Sequence, residues 1–130
     1  MPKSCKLYVS AAAAALLFPT MALADAHSEI VNAAEHAGYA AAAPDIAGVH
    51  AHLHHALNCL VGPGGNGFDA KEINPCAQSG SGIIPDTADA AKKSAFEAAA
   101  AKAREGIADN NLATAKKTAG DLAAALKKEE

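Results

Sequence analysis

Four of the six histidines and one of the three cysteines fall within ten residues, in His50-Ala-His-Leu-His-His55 and the Leu57-Asn-Cys59 that follows. Imidazole titrates near neutral pH and is the commonest metal-ligating side chain. Histidines three or four apart on a helix stand one above the other. Such pairs can share one ion through ring nitrogens at about 2.0–2.1 Å. The expected chemistry is therefore capture of a divalent transition metal. On a helical wheel of about 100° per residue, Ile46, Val49, Leu53, Leu57 and Leu60 form an apolar stripe. His50 and His54 lie on one flank of it. His52 and His55 lie on the other, with His55 turned toward water and Cys59 one turn beyond.

Two pairs on opposite flanks give two weak sites, or one site completed by a neighbouring helix. If the chain folds back around residue 43, His36 comes level with His50, and His27 with Cys59 and near His55. Glu29 and Glu35 then lie close enough to add oxygen ligands. Imidazole with carboxylate suits Cu(II), Ni(II) and Zn(II), copper binding tightest by the Irving–Williams order. The metal residues expected are thus His50, His52, His54, His55 and His36.

Other chemistries lack their parts. The Glu of an H-E-x-x-H zinc protease is missing between His50 and His54. Cys59 near His55 has no oriented third member for nucleophilic catalysis. Asn66, Asp69 and Glu72 do not match a calcium-loop spacing and read as turn formers. The glycine-rich stretch is not followed by G-K-[ST], so it is no phosphate cradle. A haem held by His50 or His36 is an alternative, without a C-x-x-C-H motif or the large apolar residues that line haem pockets. No complete catalytic motif is present, and the chain reads as non-enzymatic.

The elements that must position these residues begin after a leader. Lys3 and Lys6, an apolar run from Leu7 to Phe18 and Ala22-Leu23-Ala24 make a secretory signal peptide cleaved after Ala24. The apolar run is too short to span a bilayer. Residues 25–130 then form a single domain, with a periplasmic or secreted location and no membrane span. Losing Lys3 and Lys6 leaves 9 of the 11 basic residues against 14 acidic ones, so the net charge moves from −3 to −5. Mild acidity argues against nucleic acid, which calls for clustered Lys and Arg. The paired lysines at 92–93, 116–117 and 127–128 read as solvated helix faces.

Abundant alanine and no tryptophan favour helices. The first is expected from Ser28, as N-cap, to Ala42, with Ile30, Ala34, Ala37 and Ala41 inward. The second is expected from Pro44 to about Leu60. Val61 to Pro85 is a long connection, broken by Gly62-Pro-Gly-Gly-Asn-Gly67 and Ser79-Gly-Ser-Gly82. A loop this long in a small domain needs a reason, and in an exported chain Cys59 and Cys76 supply one as a disulfide. It closes a ring of about 18 residues and contributes roughly 3 kcal/mol through the unfolded state. The third helix is expected to start at Asp86 or Thr87, with Phe96, Ala99, Ala100, Ala103 and Ile107 inward. The turn Asp109-Asn-Asn111 leads to the fourth, with Leu112, Ala115, Ala119, Leu122 and Leu126 inward. The expected fold is all-α: a four-helix antiparallel bundle of two helical hairpins, with the disulfide-linked loop between helices two and three.

His36-Ala-Gly-Tyr-Ala-Ala-Ala-Ala, Val49-His-Ala-His-Leu-His-His-Ala56 and Asn111-Leu-Ala-Thr-Ala-Lys-Lys-Thr-Ala119 resemble the small His-rich periplasmic metal-binding proteins. The resemblance implies an alanine-rich four-helix bundle that buffers copper and related ions, with metal roles for His36, His50, His52, His54 and His55. Two features depart from that pattern: the last two helices carry no histidine, and the crosslinked loop is additional. The loop suggests the alternative function, a helical adaptor docking a protein partner through residues 62–85, with the histidines tuning docking by pH.

Overall fold

A computed structural model describes residues 25–130, and the leader expected over 1–24 lies outside the described residues. The described residues are all-helical, with five helices and no strand: α1 Ala26–Ala42, α2 Ile46–Val61, α3 Ile83–Asp86, α4 Ala90–Ala108 and α5 Leu112–Lys127. None is long and apolar enough to cross a membrane.

The starts of the long helices are set by short polar side chains. Asp25 accepts a hydrogen bond from Ser28 N at 3.1 Å, so α1 starts two residues before the Ser28 cap expected from sequence. Asp45 accepts from Gly48 N at 2.8 Å, so α2 starts at Ile46 and not at Pro44. Asp89 accepts from Lys92 N at 2.8 Å, which starts α4 several residues after the expected Asp86 or Thr87. Asn111 caps α5. A carboxylate at each of the first three caps satisfies a free N–H and also meets the positive end of the helix dipole, which a serine hydroxyl does only in part. Asp86 instead closes α3, a single turn inside the connection expected to be irregular.

α1 packs against α2 and α5, and α4 packs against the same two helices. The shared core is largely alanine: Ala33, Ala34, Ala37 and Ala40 from α1, Ala99, Ala100 and Ala103 from α4, and Ala115 and Ala119 from α5. Leu53, Leu57, Leu60, Phe96, Leu122 and Leu126 fill the remaining space. Small side chains let helix axes approach closely but remove little apolar area from water per residue. Gly106 shows how tight the approach is, since a Cβ there would meet Leu53 Cδ1 at 2.6 Å.

Two contacts tie turns to helices. Lys116 Nζ donates to Ala43 O at 2.8 Å, and His50 Nε2 donates to Asp109 O at 2.8 Å. Cys59 and Cys76 lie within disulfide-bonding distance, with Cα atoms 5.1 Å apart. The chain between them folds over the far side of α2. That side is consequently not solvated: every residue from His55 to Val61 is buried. The wheel reading of His55 as water-facing is corrected here, because a wheel assigns the side opposite the stripe to solvent and cannot register a loop laid across it.

Candidate metal centre

Three of the five histidines expected to bind metal come together. His36 on α1 and His52 and His55 on α2 each offer a ring nitrogen within 4.8 Å of the others. His36 Nδ1 lies 3.3 Å from His52 Nδ1 and 3.3 Å from His55 Nδ1. The ring centroids are 5.0–5.5 Å apart, with His55 edge-on to both other rings.

Helix register produces this meeting. His52 and His55, three apart, share one face of α2. The turn comprises Ala43, Pro44 and Asp45, so the fold-back centres on Pro44. His36 then lies level with His52, two residues beyond the His50 expected from a fold-back at 43. The cap at Asp45 is the physical reason, because it delays α2 and moves the hairpin's centre.

His50 and His54 stand outside the cluster. A backbone carbonyl only accepts, so the bond to Asp109 O makes His50 Nε2 the protonated nitrogen and ties that ring to the α4–α5 turn. His54 Nδ1 is buried with no hydrogen-bond partner. Of the two carboxylates expected to join the histidines, Glu29 is fully buried and accepts from Gly82 N at 3.0 Å. Glu35 is exposed on α1.

The electrostatics of the cluster favour neutral rings. Burial, followed by the neighbouring His55 and His52 rings, pushes His36 down to about 4. Burial also lowers His55, and His52 adds to the effect, while Glu72 opposes it. Neutral imidazole is the form that offers a lone pair to a metal. Imidazole rings with facing Nδ1 atoms are nonetheless poorly matched to one another. One N–H of His36 serves one acceptor well, and the remaining lone pairs confront each other. A cation at the meeting point resolves that conflict.

Three neighbours escape a reading of the sequence alone. Glu72, which reads as a turn former, brings Oε2 to 3.3 Å from His55 Nε2. Asn58, one turn beyond His55, is fully buried and holds the loop that carries Glu72. Its Nδ2 donates to Asp69 O at 2.9 Å and Ile73 O at 3.2 Å, and its Oδ1 accepts from Asp69 N at 2.9 Å. An asparagine amid the apolar end of α2 was the available signal for Asn58. Tyr39, 51% exposed, sets its ring edge-on to His36 and tilted against His52, each at 5.5 Å. It forms the outer wall of the cluster.

Three histidine side chains therefore lie close enough to bind one metal ion. No protein-family model, curated protein or solved structure matches the chain, so the chemistry of the site rests on its own residues.

Proposed function

We propose that this is a non-enzymatic, exported metal-binding protein that holds one divalent transition-metal ion between His36, His52 and His55. The carrying observation is the convergence of three Nδ1 atoms, two pairs of them at 3.3 Å. Ligands at about 2.05 Å from a tetrahedral ion stand about 3.3–3.4 Å apart, whereas adjacent ligands of a square-planar ion stand about 2.9 Å apart. The two 3.3 Å spacings match the tetrahedral value and favour Zn(II), while the third pair of ligand nitrogens lies within 4.8 Å. Copper, the metal expected from ligand type and the Irving–Williams order, and nickel compete for the same nitrogens at the expense of some rearrangement.

The scaffold in this reading is an antiparallel bundle of two hairpins, α1–α2 and α4–α5, with the Cys59–Cys76 disulfide clamping the intervening loop. The leader over residues 1–24 delivers it to an oxidising compartment such as the periplasm. The likeness to His-rich periplasmic metal-binding proteins supports a buffering or carrier role, with a single three-histidine site in place of several. The docking alternative has one observation on its side, the 65% exposed Ile73 in the crosslinked loop.

Calorimetric titration of residues 25–130 with Zn(II), Cu(II) and Ni(II) tests the assignment. The expected outcome is one ion per chain. Replacing His36, His52 and His55 together by Ala abolishes that binding, and replacing His50 and His54 by Ala leaves it within a few-fold. Binding that survives the triple replacement contradicts the site.

A further inference from the structure

We infer that Glu72 is a positioning residue for the metal centre: it fixes the proton of His55 on Nε2 and thereby leaves Nδ1 free to ligate. This rests on the three-histidine reading and deepens it. The geometry has two halves. His55 Nδ1 faces His36 Nδ1 at 3.3 Å, while His55 Nε2, on the other side of the ring, faces Glu72 Oε2 at 3.3 Å. A neutral imidazole carries one N–H, and an ionised carboxylate only accepts. With the proton on Nε2, the ring donates to Glu72 and presents a lone pair to the ion. With the proton on Nδ1, an N–H points into the cluster and two lone pairs face each other at Glu72. Glu72 favours the first arrangement on the outer side of the ring, and a bound ion favours it on the inner side.

Glu72 is held to this task by the loop that carries it. Asn58 lies on α2 three residues after His55, and its side chain grips the backbone at Asp69 and Ile73 on either side of Glu72. Asp69 Oδ1 in turn accepts from Lys71 N at 2.9 Å. At its far end the segment is anchored at Cys76, within disulfide-bonding distance of Cys59. One helix thus supplies the ligand and, one turn later, the residue that sets the distance to the ligand's partner. The crosslinked loop acquires a purpose in this account, delivery of one carboxylate to the outer nitrogen of one ligand. Among the described residues, neither His36 nor His52 has a protein partner at its outer nitrogen. Metal-ligating histidines commonly donate that second N–H to a carboxylate or carbonyl, and loss of such a partner typically weakens metal binding about 10–100-fold.

Two measurements separate this inference from the reading beneath it. Long-range 1H–15N NMR of the metal-free protein reports which nitrogen of His55 carries the proton. The native chain is expected to show the Nε2–H form, and Glu72→Ala to move a substantial population to Nδ1–H with the other rings unchanged. Zn(II) titration is expected to weaken about 10–100-fold in Glu72→Ala, less in Glu72→Gln, whose amide oxygen still accepts, and to recover in part in Glu72→Asp. Glu72 is only partly buried, and circular dichroism checks that each variant folds. An unchanged His55 tautomer, or native Zn(II) affinity in Glu72→Ala, overturns the role of Glu72. Failure of the native protein to bind Zn(II), with the tautomer shift intact, would instead overturn the metal reading and leave the positioning of His55 standing.

Discussion

Glu29 presents the sharpest single-residue conflict in the molecule. Its side chain is fully buried, Oε1 accepts from Gly82 N, and Oε2 has no partner. Burial raises its carboxyl to about 7, with the nearby Asp86 and Asp25 charges adding to the effect and the Gly82 bond opposing it. A carboxyl raised in the folded state contributes stability that is complete below its unfolded value of 4.5 and is lost as pH rises through about 7. His36 acts in the other direction. Its folded value is lowered from 6.5 to about 4, so its contribution is present above 6.5 and is lost as pH falls through about 4. Between about 4.5 and 6.5 the Glu29 slope opposes that of His36. Glu29→Gln keeps an acceptor for Gly82 N and removes the charge. It is expected to stabilise the protein by on the order of 3 kcal/mol at pH 8 and by much less at pH 4.5, as read by urea unfolding. An equal effect at both pH values contradicts this account.

At the scale of elements, the crosslinked loop is the part whose form depends on single side chains. Asn58 satisfies it by bonding to backbone at both Asp69 and Ile73 from a fully buried position. Asn58→Ala leaves those buried groups unpaired and opens a void, so it should lower unfolding stability by about 2–4 kcal/mol. It should also weaken Zn(II) binding, because Glu72 is no longer held at His55. Normal stability in urea unfolding together with native Zn(II) affinity would show that the loop is held by other means. The helices were legible because alanine, apolar spacing at three and four residues, and the breakers Pro44 and Gly62 are local signals. Phe96, Ala99, Ala100 and Ala103 on α4, and Ala115, Ala119, Leu122 and Leu126 on α5, are buried as their periodicity required, whereas Ile107 is only partly buried and Leu112, in the first turn of α5, is 37% exposed. The candidate site was half legible. His52 and His55 announce themselves by spacing on one helix, but the arrival of His36 depends on where a three-residue turn is centred. Glu72 depends on a loop path that no periodicity encodes. The burial of His55 was missed for the same reason, since its cover comes from residues far along the chain.

For the whole molecule, an alanine core implies modest stability and therefore a large relative response to anything that binds the folded state. The unfolded chain cannot assemble His36 with His52 and His55 at one point, so an ion held there stabilises the fold by mass action. Zn(II) at about one hundred times its dissociation constant contributes about 2.7 kcal/mol. For a domain of this size, at roughly 4 °C per kcal/mol, that corresponds to a rise in Tm of about 10 °C. The same addition should leave the triple His36, His52 and His55 variant unmoved in differential scanning calorimetry. A second and separate test follows from the crosslink. Reducing the Cys59–Cys76 pair should cost roughly 3 kcal/mol through the freed ring, measured as a drop in the urea midpoint that reoxidation reverses.

The most direct test of the central claim is to watch the ring nitrogens themselves while one equivalent of Zn(II) is added to 15N-labelled protein. The Nδ1 resonances of His36, His52 and His55 should shift together and saturate at one ion per chain, with those of His50 and His54 unmoved. Shifts confined to His50 and His54, or Nδ1 resonances of the three clustered rings that stay in place, would contradict it.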